Sequence, residues 1–179
     1  LVSMGIYIFK KEVLQKYLEE DAQHKSSKHD FGRDIFPRMV GNCRLFAYGF
    51  EGYWRDIGTV RAYWQSNMDM LKMSQDFLAD ADWPIRTKEE ERPSAIFSET
   101  ANVINSIVSN GCVIEGTVEH SVLSPGVKVA EGAVVKDSVI MSNSTIGSYS
   151  IVDRSIIDKE VVIEAGCHVG HSNDFRPNH

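Results

Sequence analysis

The fold of this chain is decided by residues 123–169, which read LSPGVKVAEGAVVKDSVIMSNSTIGSYSIVDRSIIDKEVVIEAGCHV. Aliphatic residues recur in it at steps of six, with an occasional step of five: Leu123, Val129, Val135, Ile140, Ile146, Val152, Ile157, Ile163 and Val169. The same phase begins earlier, at Val108, Ile114 and Val118. A six-residue repeat predicts a parallel β-helix, in which three short strands form each triangular coil. We therefore predict about four coils, stabilised by the apolar surface that each buries against its neighbours.

Each repeat block opens with a serine followed by two aliphatic residues. These serines are Ser106, Ser121, Ser138 and Ser155. An ordinary β-sandwich is the alternative, but its turns would be spaced by roughly 8–12 residues. The observed steps of six, six and five favour the β-helix.

Composition argues against some classes of partner. The chain has 179 residues with 19 Lys and Arg against 25 Asp and Glu, a formal net charge of −6. Without a basic face, binding to nucleic acid or to a membrane surface is not expected. No apolar run approaches the roughly 18 residues that span a membrane. The three scattered cysteines predict reduced thiols in a cytoplasmic protein. Because the chain begins without Met or a signal peptide, we interpret it as part of a longer protein.

The residues before the repeats alternate between strand-like and helix-like patterns. We predict a buried strand at Val2–Phe9, a helix at Lys11–Glu20, a strand at Arg44–Phe50 and a helix capped by Thr59. This alternation indicates an α/β fold. Residues 80–93 are charged, carry two prolines and show no steady period. We therefore expect an α/β part at 1–79, a linker at 80–97 and the β-helix at 98–179.

Two candidate functional residues precede a short predicted helix. Asp30 is a candidate N-cap of a helix that Pro37 should kink or shorten, with an apolar face of Ile35, Phe36, Met39 and Val40. Its carboxylate also has the chemistry to bind a sugar hydroxyl. His29 is either a general base or a solvated loop side chain, and the polar residues 22–28 before it predict a mobile loop.

A second candidate region is Tyr53-Trp54-Arg55-Asp56, between a predicted strand and a helix cap. Ligands bind at such corners in α/β folds, because backbone N–H groups and side chains converge there. Asp56 has the oxygen chemistry to hold Mg²⁺, but it also has the chemistry to pair with Arg55 or to cap the next turn. The aromatic rings of Trp54 and Phe31 fit either a sugar face or a hydrophobic core. Spacing alone slightly favours the structural roles.

The ordered motifs of the chain resemble those of one family. They are Ser3-Met4-Gly5-Ile6-Tyr7-Ile8-Phe9, His29-Asp30-Phe31-Gly32, Tyr53-Trp54-Arg55-Asp56-Ile57-Gly58-Thr59 and Trp83-Pro84-Ile85-Arg86-Thr87, ahead of the hexapeptide repeats. Together they resemble the bacterial glucose-1-phosphate adenylyltransferases, or ADP-glucose pyrophosphorylases. The resemblance implies an α/β fragment, the C-terminal part of a Rossmann-like nucleotidyltransferase domain, followed by a left-handed parallel β-helix.

The same resemblance implies an activity and a set of site residues. The reaction transfers the adenylyl group of ATP to glucose 1-phosphate, giving ADP-glucose and pyrophosphate, as the committed step of bacterial glycogen synthesis. Ser3 and Tyr7 would line the glucose 1-phosphate pocket, and Asp30, Phe31 and Trp54 would contact the sugar. Asp56 would hold the catalytic Mg²⁺. The β-helix would support a homotetramer and an allosteric site, for which Arg86 and Lys88 are candidate basic residues.

The chain departs from the family pattern at its beginning. The family's Gly-rich nucleotide loop with a catalytic Arg, a second metal carboxylate and a Glu-Lys pair that grips the sugar phosphate have no counterpart in the 179 residues. We therefore expect no catalytic Arg or Lys in this chain, no ATP site and no activity from the chain alone.

Other functions remain open. One is a different sugar-1-phosphate nucleotidyltransferase, such as a mannose-1-phosphate guanylyltransferase, and another is a non-catalytic regulatory paralogue. A hexapeptide acyltransferase is less favoured, because His120 and His168 show no clear partner in the sequence. An interaction module would leave the Trp54-Arg55-Asp56 cluster unexplained.

Overall fold

The chain divides into two compact units. A computed structural model describes residues 3–73 and 91–170. The first unit is Leu1–Asp56 and the second is Ile57–His179. In the residues that the structure describes, helices build the first unit, and the second combines one helix with the repeats.

The first unit is built around helix α1, Lys11–Ala22, which confirms the predicted helix. A π-helix at Phe31–Ile35 and the short helix α2, Phe36–Met39, follow it. The core consists of buried Tyr17, Ile35 and Met39, with the partly buried side chains of Phe9, Val13, Phe31, Phe36 and Cys43 packed against it. Helix α2 is only one turn long, with Pro37 in that turn, as the predicted effect of Pro37 requires. Val40 was predicted on the apolar face, but it is 63% exposed, since the helix ends at Met39 and turns Val40 outward.

The two segments predicted as strands form no strand in the described part of the first unit. These are Ser3–Phe9, the described portion of the predicted Val2–Phe9 strand, and Arg44–Phe50. Most of their apolar side chains are exposed, with Ile8 at 97% and Tyr48 at 94%. A strand needs a neighbour to pair its N–H and C=O groups. An alternating apolar pattern indicates strand propensity, but it does not show that a neighbouring strand is present to pair with.

The second unit opens with helix α3, Val60–Met70. Thr59 caps it as predicted, since its hydroxyl accepts a hydrogen bond from the N–H of Ala62 at 3.1 Å. Met68 is buried, and the indole N–H of Trp64 donates to the main-chain carbonyl of Asp137 at 2.7 Å. Helix α3 is therefore tied to the repeats. Among the helices that the structure describes, none combines the length and hydrophobicity needed to cross a membrane.

The repeats form a parallel β-helix, as predicted. One sheet holds β1 (Ile96–Phe97), β4 (Val113–Ile114), β7 (Lys128–Val129), β10 (Thr145–Ile146) and β13 (Val162–Ile163). A second holds β2 (Asn102–Ile104), β5 (Thr117–Glu119), β8 (Val134–Lys136), β11 (Ile151–Asp153) and β14 (His168–Gly170). The third holds β3 (Ile107–Val108), β6 (Val122–Leu123), β9 (Val139–Ile140) and β12 (Ile156–Ile157). Every described pairing between these strands is parallel, so each strand pairs with its equivalent in the next coil.

The aliphatic columns predicted from the six-residue repeat form the core of the β-helix. Their buried members are Ile114, Val118, Leu123, Val129, Val135, Ile140, Ile146, Val152, Ile157 and Ile163. Val108 and Val169, nearer the two ends, are partly buried against them. Register explains the stacking, because Leu123 of β6 lies opposite Val108 of β3 and Ile140 of β9.

The corners of the coils follow a regular backbone pattern. One corner column has positive φ at Asn105, His120, Asp137 and Arg154. The serine after each of these residues forms a hydrogen-bonded ladder that runs from coil to coil. The hydroxyl of Ser106 accepts from the N–H of Ser121, that of Ser121 from Ser138 and that of Ser138 from Ser155, at 3.0–3.1 Å. The serine that opens each block therefore links one coil to the next.

Candidate functional site

The structure brings Ser3, Tyr7 and Phe31 together. The hydroxyls of Ser3 and Tyr7 share a hydrogen bond of 2.7 Å, and the N–H of Gly5 donates to Ser3 Oγ at 3.2 Å. Gly5 has φ of +76°, a left-handed conformation that glycine adopts without steric cost. This turn places the two hydroxyls beside each other, where they can bind the oxygens of a sugar or phosphate.

Aromatic packing fixes Tyr7 against Phe31. Their ring centroids lie 5.4 Å apart, and Tyr7 also meets Phe36 edge-on at 4.7 Å. Phe9 stacks on Phe36 at 6.0 Å and lies 5.8 Å from Phe31. Such offset and edge-on arrangements are favourable beyond the burial of their area. Tyr7 remains 37% exposed, so part of its side chain faces solvent.

Asp30 caps the π-helix, as the sequence predicts for its structural role. Its Oδ1 accepts from the N–H of Arg33 at 2.8 Å. The carboxylate of Asp34 in turn accepts from the N–H groups of Asp30 and Lys28, at 3.1 and 3.3 Å. Asp30 is exposed. The cap orients its carboxylate at the surface next to Phe31, and its role toward a sugar stays a prediction.

The sequence reasoning missed a buried carboxylate, Asp21, which is only 2% exposed. Both of its oxygens accept from the hydroxyl of Ser27, at 2.8 and 3.0 Å, and Oδ2 lies 2.7 Å from Nδ1 of His29. Arg38 Nη1 lies 3.0 Å from Oδ1 as an ion pair, outside hydrogen-bond geometry. The hydrogen bond from His29 is the main cause that lowers the pKa of Asp21, with help from Ser27 and Arg38 and against the effect of burial.

This network changes the interpretation of His29 and of the loop before it. The side chain of His29 is 62% exposed, yet its Nδ1 is held by Asp21, so it is not a freely solvated loop histidine. An open surface depression of about 320 Å³ beside the pair is lined by Leu18, Asp21, Ala22, His29 and Ile35. One signal in the sequence pointed to Asp21: it lies four residues after the buried Tyr17, on the same face of α1.

Trp54 and Asp56 lie on the segment that leads to Thr59. Trp54 is 41% exposed, and Arg55 Nε donates to the hydroxyl of Tyr53 at 3.3 Å. An exposed carboxylate such as that of Asp56 fits Mg²⁺, which binds through one or two carboxylates plus substrate phosphates. Within residues 3–73 and 91–170, no three His, Cys, Asp or Glu side chains are grouped as a complete metal site. Arg86 and Lys88, the candidate effector residues, lie outside the described residues.

One coil histidine has a partner that the sequence did not indicate. Nδ1 of His120 lies 2.6 Å from Oδ1 of Asp137, across two successive coils. The main-chain carbonyl of the same Asp137 accepts from Trp64. The prediction that His120 lacks a partner was therefore wrong, because residues 17 positions apart face each other on adjacent coils. The pair supports the corner to which α3 is tied.

Two family models match the chain in succession. Residues 1–73 match the model described as nucleotidyl transferase, and residues 93–176 match the GlmU-like C-terminal hexapeptide model. Both agree with the predicted order of an α/β nucleotidyltransferase part and a hexapeptide β-helix.

Curated relatives extend the likeness over both parts. Glucose-1-phosphate adenylyltransferase of Desulforamulus reducens is 44% identical over 179 residues, which covers 99% of this chain and 45% of that protein. The enzyme of the same name from Acetivibrio thermocellus is 46% identical over 99% of this chain and 43% of that protein. That of Bacillus cereus strain Q1 is 46% identical over 93% of this chain and 45% of that protein. The chain thus spans less than half the length of these relatives. Over nearly its whole length it is similar to bacterial glucose-1-phosphate adenylyltransferases, which confirms the resemblance indicated by its motifs.

Proposed function

We propose that this chain provides the sugar-phosphate side of a glucose-1-phosphate adenylyltransferase. In that reaction a phosphate oxygen of glucose 1-phosphate attacks the α-phosphorus of ATP. The bond between this phosphorus and the α,β-bridging oxygen breaks, and that oxygen leaves with the β- and γ-phosphates as pyrophosphate while ADP-glucose forms. Such a displacement depends chiefly on positioning and on neutralising the phosphate charges.

The observation that carries the proposal is the likeness of 44–46% identity to enzymes of this name along nearly the whole chain. The grouping of Ser3, Tyr7 and Phe31 supports it independently. Paired hydroxyls beside an aromatic ring suit a sugar phosphate, because the hydroxyls bind oxygens while the ring packs against the sugar's C–H face. Asp30 and Trp54 would complete the sugar contacts, since both are exposed side chains of the first unit.

Asp56 would contribute one carboxylate ligand to Mg²⁺. When bound, this ion would neutralise charge on the reacting phosphates. The ATP-binding groups and the catalytic Arg and Lys would come from residues outside this sequence, and so the chain alone would be inactive. We further propose a cytoplasmic homotetramer under allosteric control, acting in glycogen synthesis, with the β-helix contributing to assembly.

The test uses the full-length protein that contains this sequence. Glucose 1-phosphate is titrated calorimetrically with and without Mg²⁺, and ADP-glucose synthesis is assayed in parallel, for wild type and Asp56→Asn. Glu51→Gln is the matched control, since Glu51 is an exposed acid on the same segment. We expect Asp56→Asn to abolish most synthesis while sugar-phosphate binding is largely retained, and the control to match wild type.

Three results would contradict the proposal. Synthesis unchanged in Asp56→Asn would remove Asp56 from the metal site. A wild-type protein that is inactive with ATP and glucose 1-phosphate but active with GTP and mannose 1-phosphate would favour a different nucleotidyltransferase. A wild-type protein that is inactive with both substrate pairs would favour a regulatory paralogue.

A further inference from the structure

The carboxylate of Asp21 lies where a charged side chain is costly. It is only 2% exposed and lies in the last turn of α1, one residue before the helix ends. Burial of a charge removes its hydration. The C-terminal end of a helix also carries partial negative charge, which repels a carboxylate. A neutral residue would avoid both costs, so the stability of α1 alone does not account for Asp21.

The partners of Asp21 come from the loop and the helix that follow α1. Ser27 and His29 reach it from the loop, and Arg38 reaches it from α2. Ser27 Oγ also accepts from the N–H of His29 at 3.0 Å, so the hydroxyl bridges the carboxylate to the loop backbone. Asp21 therefore holds the loop against α1 through two loop residues, Ser27 and His29.

The fastened loop ends at the residues proposed to contact the sugar. His29, the second partner of Asp21, has φ of 58° and directly precedes Asp30. A non-glycine residue in the left-handed region is strained and persists only where its surroundings hold it. On the other side, the Asp34 carboxylate accepts from the N–H groups of Lys28 and Asp30. Asp21 and Asp34 thus hold the loop from both sides.

We propose that Asp21 is a positioning residue for the sugar phosphate. Through its hydrogen bonds to Ser27 and His29 it fixes the backbone conformation that places Asp30 and Phe31. This inference rests on the proposed function, because it assumes that Asp30 and Phe31 meet the sugar. It adds a residue that touches no substrate itself. Loss of the network would let the left-handed His29 relax and shift Asp30 and Phe31 together, and displacements on the order of 1 Å weaken catalytic geometry strongly.

The test compares Asp21→Asn with Glu20→Gln in the full-length protein that contains this sequence. Glu20 neighbours Asp21 on α1 but is exposed, and it faces Lys16 at 3.8 Å. The first readout is amide hydrogen exchange at Arg33 and Asp34, whose N–H groups bond to Asp30. We expect exchange there to accelerate about tenfold in Asp21→Asn and to stay unchanged in Glu20→Gln.

The second readout is steady-state kinetics of ADP-glucose synthesis. We expect the KM for glucose 1-phosphate to rise about tenfold in Asp21→Asn, while the KM for ATP changes by less than about twofold. A purely structural defect would instead lower the active fraction and leave both KM values unchanged. Ser27→Ala is the milder variant, used if Asp21→Asn does not fold. It removes the bridging hydroxyl but keeps the charge, and we expect a smaller shift in the same KM.

The outcomes separate the two proposals. An active wild type with faster exchange and a raised sugar-phosphate KM in the variant supports the role of Asp21. An active wild type whose variant keeps either the exchange rates or that KM overturns the role of Asp21 and leaves the proposed function standing. A wild type that neither binds nor uses glucose 1-phosphate overturns the proposed function, and with it any sugar-positioning role for Asp21.

Discussion

Replacing Ser121 by alanine tests whether the serine ladder stabilises the β-helix. The Ser121 hydroxyl donates to the carbonyl of Glu119 at 2.8 Å and accepts from the N–H of Ser138 at 3.0 Å. The Glu119 carbonyl also receives the N–H of Asp137 at 3.1 Å, so it keeps a donor in the variant. The group left without its partner is the N–H of Ser138, a residue with 0% exposure.

The size of the effect follows from that single orphaned group. A buried donor that loses its acceptor costs about 1–3 kcal/mol. The alanine methyl fills nearly the same space as the serine CH₂, so packing changes little. We therefore expect Ser121→Ala to lower the free energy of unfolding by about 1–3 kcal/mol. That loss corresponds to a urea midpoint lower by on the order of 1 M.

The assay is urea unfolding followed by far-ultraviolet circular dichroism, with Ser148→Ala as the control. Ser148 is half-buried in the same β-helix, and its main-chain carbonyl accepts from the N–H of Gly166 at 2.9 Å. Alanine keeps that carbonyl, so the control should stay within about 0.5 kcal/mol of wild type. If Ser121→Ala is as stable as Ser148→Ala, the ladder contributes nothing measurable and the reasoning is wrong.

Two further predictions concern the steric environment of Gly116 and the ionisation of Asp21. A Cβ at Gly116 would meet the main-chain carbonyl of Ala133, whereas one at Gly166, despite φ of +72°, would meet nothing within 4 Å. Gly116→Ala should therefore destabilise the β-helix by about 1–3 kcal/mol and more than Gly166→Ala, and equal urea midpoints would contradict this. The pKa of Asp21 is lowered, first by the hydrogen bond from His29, below its ordinary 3.8. Its stabilising effect is thus complete above pH 3.8 and is lost as the pH falls further, so acid unfolding followed by tyrosine circular dichroism should be steeper in wild type than in Asp21→Asn. Parallel curves would show that the carboxylate is not linked to folding.

The β-helix was predictable because its evidence is periodic. Leu123, Ile140 and Ile157 occupy equivalent positions in successive coils, and all three are buried. Each of these residues is aliphatic for the same reason, burial in the core, so the pattern is strong even though each strand is only two or three residues long. The caps formed by Asp30 and Thr59 were predictable for a related reason, since each depends on contacts within three residues.

The candidate site was less predictable because its contacts depend on distant residues. The strand predicted at Arg44–Phe50 fails for want of a pairing neighbour, which is a property of the surroundings and not of the segment. Asp21 has only a weak signal in the sequence, its place four residues after Tyr17 on the same face of α1. Its role in the network depends on Ser27, His29 and Arg38, which lie 6, 8 and 17 residues later, and no local pattern couples them to it. The family resemblance, and not spacing, directed attention to Ser3 and Tyr7, which the structure then joins by a hydrogen bond.

The corner column of the β-helix also bears on where helix α3 docks. Asn105, His120, Asp137 and Arg154 share one backbone conformation, so the corners are interchangeable in shape. Helix α3 nevertheless contacts one of them, through Trp64 and the carbonyl of Asp137. The coil on which α3 docks is therefore set by the number of coils that precede Asp137. Adding whole coils beyond Asp137 would leave that number unchanged, whereas adding a whole coil before Asp137 would move the docking point by one coil.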